Sequence, residues 1–95
     1  TAVLGVVQGP RLESAAEVRR FANDGCDLLG MTGLPEAALA RELAIPYAAV
    51  CMVVNAAAGV SEKPISMDDI RQTLLQETAL FGALLKAFLE QQSGL

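Results

Sequence analysis

The chain reads as an α/β protein built on a mainly parallel sheet, and three observations predict it. Three short apolar runs, residues 1–7 (TAVLGVV), 27–31 (DLLGM) and 47–54 (YAAVCMVV), have the length and β-branched content of buried strands. A helical pattern follows each run, and alternation of this kind argues right-handed β-α-β crossovers. Each run also stops at polar or turn-forming residues: Gln8-Gly9-Pro10, Thr32-Gly33 and Asn55. Strand ends in one short chain with helices between them predict a pocket along the edge of the sheet.

The elements follow in order. Residues 1–7 form the first strand, stopped by Gly9-Pro10. Ser14 caps the next helix, with Glu17 three residues on completing a capping box. Ala15, Val18, Phe21 and Ala22 give that helix a buried stripe, and Asn23-Asp24-Gly25 ends it. Residues 27–31 form a second strand. A turn at Thr32-Gly33-Leu34 leads to a helix over 35–43, with Pro35 at its first position, Glu36 complementing its N-terminus, and Ala38, Leu39 and Leu43 inward. Ile45-Pro46 breaks it. Residues 47–54 form a third strand, buried on both faces, and 55–63 a small-residue loop. Ser66 caps the last helix, with Asp68 and Asp69 in its first turn. Its expected buried stripe is Ile70, Leu74, Thr78, Phe81, Leu84, Leu85 and Phe88, and residues 91–94 are expected to fray. No repeat, low-complexity segment or linker interrupts this order.

Composition narrows the function classes. Ninety-five residues make at most one domain, and 53% of them are hydrophobic. A small chain has much surface for its volume, so that apolar share predicts faces covered by further chain or by partners. The start at Thr1, inside an apolar run, agrees with a portion of a larger subunit. Net charge is −4 and only Arg19 and Arg20 are adjacent basic residues, which argues against nucleic-acid binding. No apolar run approaches the ~18 residues of a membrane-spanning helix, and residues 1–7 lack the basic flank of a signal peptide. Cys26 and Cys51 form no metal motif, and the chain has no His, so a metal site is not expected and a Ser-His or Cys-His nucleophile is excluded within it. The cysteines are expected reduced and buried, as in the cytoplasm.

The strand ends carry Gln8-Gly9-Pro10-Arg11-Leu12-Glu13-Ser14, then Gly30-Met31-Thr32-Gly33-Leu34-Pro35-Glu36, then Val54-Asn55. One carboxylate, one carboxamide, one hydroxyl and apolar walls suit a neutral, hydrogen-bonding ligand. Together and in this order, the three segments resemble the C-terminal portion of the trimeric purine nucleoside phosphorylases, a family that includes methylthioadenosine and methylthioinosine phosphorylases. That family carries Gly-Pro-x-Phe-Glu-Thr, Gly-Met-Ser/Thr-x-x-Pro-Glu and a strand ending close to Asn or Asp. The resemblance implies that residues 1–95 are the C-terminal portion of a single phosphorylase domain with a three-layer α/β/α fold. It implies a cytoplasmic homotrimer of purine salvage that transfers a pentosyl group from purine to inorganic phosphate, with no other cofactor and no metal.

The resemblance also implies roles. Asn55 would hydrogen-bond N7 of the departing base, since a carboxamide both donates and accepts; read alone, it is a strand-end residue capping its own loop. Glu13 would accept the N1–H of a 6-oxopurine; read alone, it is an acid favoured at a helix start. Met31 would pack under the ribose, and Thr32 would give its hydroxyl and backbone N–H to phosphate, where turn chemistry is the other reading. Leu12, Leu29 and Gly30 would line the base, or simply pack. Leu12 departs from the family's Phe, so stacking on the base is lost there.

Adenine-directed members place Asp at the position of Asn55 and again two residues on, and lack the Glu. Asn55, Ala57 and Glu13 therefore suit a 6-oxopurine. The inosine–guanosine branch carries a His near the start of the last helix for the 5′-hydroxyl, whereas this chain has Ile65 and Met67 there. An apolar lining favours a methylthio group, so 5′-methylthioinosine is the expected substrate. The alternatives are a general purine nucleoside phosphorylase, a methylthioadenosine phosphorylase with an altered base site, a nucleoside-binding module without turnover, and a plain α/β scaffold.

Overall fold

The computed structural model describes residues 1–93. The elements run β1 (Leu4–Val6), α1 (Ala15–Asn23), β2 (Leu28–Gly30), α2 (Glu36–Glu42) and α3 (Met67–Ser93). Strands β1 and β2 pair in parallel, with Leu4 opposite Leu28, Gly5 opposite Leu29 and Val6 opposite Gly30. The α/β class and the parallel β1-α1-β2 crossover are as the alternation predicts. Two compact units divide the chain. One is Thr1–Cys51 with Ala57–Pro64; the other is Met52–Ala56 with the residues from Ile65 on.

In the first unit, hydrogen bonds extend the ladder past both strand ends. The amides of Asp27 and Leu28 donate to the Val3 carbonyl at 2.9 and 3.1 Å, and the Val7 amide donates to the Gly30 carbonyl at 2.8 Å. The Asp27 carboxylate accepts from the Val3 amide at 2.8 Å and anchors the start of β1. Helix α1 begins with the expected capping box: Ser14 Oγ accepts from the Glu17 amide, and the Glu17 carboxylate accepts from the Ser14 amide. It ends at Asp24 with Gly25 at φ +97°. The Gly25 amide donates to Ala22 and the Cys26 amide to Phe21, which satisfies carbonyls left open by the last turn. Val18 is buried and Ala15 and Phe21 are half-buried, as the stripe predicts, but Ala22 is exposed.

Several expectations are corrected. Helix α2 is shorter than 35–43, and Pro35 is its N-cap rather than its first helical residue. Ala38, Leu39 and Leu43 are exposed, while Ala37 and Ala40 take the partly covered face. The helix ends through Ala44 at φ +56°, whose amide donates to Arg41 while that of Ile45 donates to Ala40. Residues 47–54 form no strand. A run made for burial on both faces needs neighbours on both edges, and none pairs with it among the described residues, so Val53 is 61% exposed. Cys51, expected buried, lies in this run and is exposed. The observed order is therefore β-α-β-α-α, not β-α-β-α-β-α. Residues 55–63 are a loop, as expected.

In the second unit, Ser66 Oγ accepts from the Asp69 amide at 3.4 Å, the expected cap of α3. The predicted stripe is largely uncovered: Ile70 and Phe81 are half-buried, but Leu74, Thr78, Leu84, Leu85 and Phe88 are exposed. Thr73 and Thr78 turn their hydroxyls onto the carbonyls of Asp69 and Leu74 and so satisfy themselves within the helix. Residues 91–93, expected to fray, are helical, and Ser93 Oγ donates to the Leu89 carbonyl at 2.9 Å; Gly94 lies outside the described residues. No described helix is long and apolar enough to cross a membrane.

Candidate functional site

The site grows from the segment that leaves β1. Gly9 has φ +67°, and a Cβ there would lie 2.5 Å from the Met31 sulfur. A glycine thus lets the chain turn directly over the methionine that follows β2. Parallel pairing brings the two strand ends to the same edge, which is why residues 9 and 31 meet.

Beyond Pro10, Arg11 turns toward the first turn of α1. Its Nη1 donates to Glu17 Oε1 at 2.8 Å and its Nη2 to Glu17 Oε2 at 3.2 Å. Nη1 also donates to the Leu12 carbonyl at 3.2 Å. The hydrogen bond from Arg11, then those from the Ser14 backbone and side chain, hold the Glu17 carboxyl down at about 2, and the hydrogen bond to Glu17 raises Arg11. A guanidinium fork on a carboxylate fixes orientation as well as distance.

This segment bounds an open cleft of about 300 Å³. Gln8, Arg11, Glu13 and Glu17 supply its polar side, and Val6, Val7 and Phe21 its apolar side. Glu13 is half-buried at this cleft. Sequence reasoning singled out Glu13 but missed Gln8, Arg11, Glu17 and Phe21 as its neighbours. The signal was available for two of them: Glu13, Glu17 and Phe21 recur at intervals of four, which places them on one side of a helix and its lead-in.

The other expected residues divide between the two units. Leu12, Leu29, Gly30, Met31 and Thr32 share the first unit with Glu13. Leu29 and Gly30 lie in β2, Met31 lies against Gly9, Thr32 is exposed just past β2, and Leu12 is exposed beside Glu13. None of these five lines the 300 Å³ cleft. Asn55, Ile65 and Met67 belong to the second unit. Asn55 is half-buried at a bend rather than at a strand end, and its Nδ2 donates to the Ala56 carbonyl at 2.9 Å. Ile65 is half-buried, and Met67 is the exposed first residue of α3. No cluster of His, Cys, Asp and Glu among the described residues could hold a metal ion.

Comparison with known proteins gives this geometry its context. The pattern of the Phosphorylase superfamily matches residues 2–90. A Pseudomonas syringae pv. tomato protein named "Probable S-methyl-5'-thioinosine phosphorylase" is 57% identical over 72 residues, which is 76% of this chain and 29% of that protein. A Thermodesulfovibrio yellowstonii protein of the same name is 49% identical over 80 residues, 84% of this chain and 30% of its own length. A Moorella thermoacetica protein named "Probable 6-oxopurine nucleoside phosphorylase" is 40% identical over 74 residues, 78% of this chain and 28% of that protein. The chain thus spans less than a third of the curated relatives it matches.

Proposed function

This chain belongs to the Phosphorylase superfamily, and on that premise we propose that the whole protein phosphorolyses a 6-oxopurine nucleoside, with 5′-methylthioinosine as its best substrate. The products are the free base and a ribose 1-phosphate derivative. The observation that carries this reading is the 57% identity over 72 residues to a protein bearing the methylthioinosine phosphorylase name. The residue types support it. Phosphorolysis leaves charge on the purine as its bond to C1′ breaks, so catalysis consists in stabilising the departing base and holding phosphate under the sugar.

In this reading Glu13 accepts the N1–H of hypoxanthine from its half-buried place on the cleft. Asn55 supplies N7 and O6 with a donor and an acceptor; its carboxamide has a second Nδ2 hydrogen and Oδ1 beyond the bond to Ala56. Leu12, Leu29 and Gly30 line the base, Met31 packs under the ribose, and Thr32 contacts phosphate. Ile65 and Met67 receive the 5′ substituent. An adenine would leave the acid and the amide wrongly paired, at roughly 1–3 kcal/mol for each unsatisfied group. Inorganic phosphate is the co-substrate, with no metal or organic cofactor, and the protein works as a cytoplasmic homotrimer in purine salvage.

The test is the catalytic efficiency of the complete protein on 5′-methylthioinosine, inosine and 5′-methylthioadenosine with phosphate. Methylthioinosine is expected to lead. A preference for the adenosine-type substrate would overturn the reading. The similarity to the Moorella protein favours a second one, a general 6-oxopurine nucleoside phosphorylase; inosine turned over as well as methylthioinosine would select it.

A further inference from the structure

Glu13 belongs to neither β1 nor α1. An acceptor that must meet one particular N–H has to be held to a fraction of an ångström, which a loop residue achieves only through its supports. The supports stand on either side of it. The carbonyl one residue before, at Leu12, accepts from Arg11 Nη1 at 3.2 Å. The amide one residue after, at Ser14, donates to Glu17 Oε1 at 2.9 Å. Arg11 and Glu17 close the ring with their two-point contact at 2.8 and 3.2 Å. Both peptide units that flank Glu13 therefore hang on one ion pair.

We infer that Arg11 and Glu17 form a clamp that positions the Glu13 carboxylate and thereby sets the selectivity for a 6-oxopurine. The inference rests on the proposed role of Glu13. Arg11 and Glu17 are positioning residues, because they act through Glu13. An ion pair this exposed adds little to stability, so its contribution lies in the geometry that a planar fork imposes.

The test uses the complete protein. Arg11→Gln and Glu17→Gln are each compared with the unaltered protein for kcat/KM on 5′-methylthioinosine and 5′-methylthioadenosine. Gln at position 17 keeps the capping box with Ser14, so the helix start is retained while the clamp is weakened. Efficiency on the 6-oxo substrate should fall roughly tenfold in each, less than the ~100-fold that a 1 Å misplacement can cost. The 6-oxo to 6-amino ratio should fall with it, the thermal midpoint should barely move, and the double variant should be no worse than the weaker single. Arg11→Lys, which keeps the charge but loses the fork, should fall between; it and Glu17→Gln carry the same test if Arg11→Gln does not fold.

An unchanged ratio in both singles overturns the clamp, whatever the midpoint does, and so does a fully additive double variant. Glu13→Gln, measured in parallel, separates the two levels. If it collapses the ratio while the clamp variants leave it intact, the clamp fails and the role of Glu13 stands. If it leaves the ratio untouched, the role of Glu13 fails and the clamp falls with it.

Discussion

Gly9 links backbone conformation to the site. At φ +67° a side chain costs about 1–2 kcal/mol from backbone sterics alone. The added Cβ would also displace the Met31 sulfur, the far end of a flexible side chain that can move aside. Gly9→Ala in the complete protein is therefore expected to lose about 1–2 kcal/mol by urea unfolding, and to raise KM for the nucleoside, because Met31 is the proposed floor of the ribose site. A variant with unchanged stability and KM would show that residue 9 does not hold this conformation. The sequence marked Gly9-Pro10 as a stop, since that is local chemistry. It did not reveal the contact with Met31, which depends on parallel pairing between residues more than twenty apart. Glu13 stood out by its motif, whereas Arg11 and Glu17 were readable only as separate local signals until the turn brought them together.

Helix ends decide most of what holds the local elements. Ser14→Ala removes the side-chain half of the α1 cap and is expected to cost about 1 kcal/mol of stability. Glu17 gives the same helix a small acid-sensitive contribution, since its carboxyl sits at about 2 against an ordinary 4.5 while its ion pair is exposed. Its folded value is depressed, so its contribution is complete above about pH 4.5 and is lost as pH falls toward 2. The small gap in urea midpoint between the unaltered protein and Glu17→Gln at neutral pH should close as pH falls toward 2; a gap that stays constant with pH would exclude this origin. At the C-terminal end of α2, Ala44 occupies the left-handed position that glycine prefers after a helix. It is exposed, so Ala44→Gly sacrifices no packing and should stabilise by on the order of 0.5–1 kcal/mol, readable as a higher thermal midpoint. The caps at Ser14 and Ser66 were evident from sequence because they depend on residues three apart. The strand expected over 47–54 was not realised because a strand is completed only by its neighbours, and apolar content cannot supply them.

Coverage and exposure set the behaviour of the chain taken by itself. It spans 28–30% of the three relatives compared with it. Among its described residues only Val18 is buried, while Leu75 is 82% and Leu43 69% exposed. Ordering costs about 1–2 kcal/mol per residue in backbone entropy, and one buried valine returns no more than ~1.5–3 kcal/mol. The 53% hydrophobic composition is thus committed to faces that these residues do not cover among themselves. The isolated 95 residues are accordingly expected to unfold over a broad temperature range without a cooperative transition, to bind an apolar dye strongly, and to leave 5′-methylthioinosine and phosphate unreacted. The complete protein should show a sharp calorimetric transition and weak dye binding under the same conditions. A steep two-state transition in the isolated chain would mean that its apolar runs find partners within these residues, and the exposure of 47–54 and of α3 would then have to be reassigned.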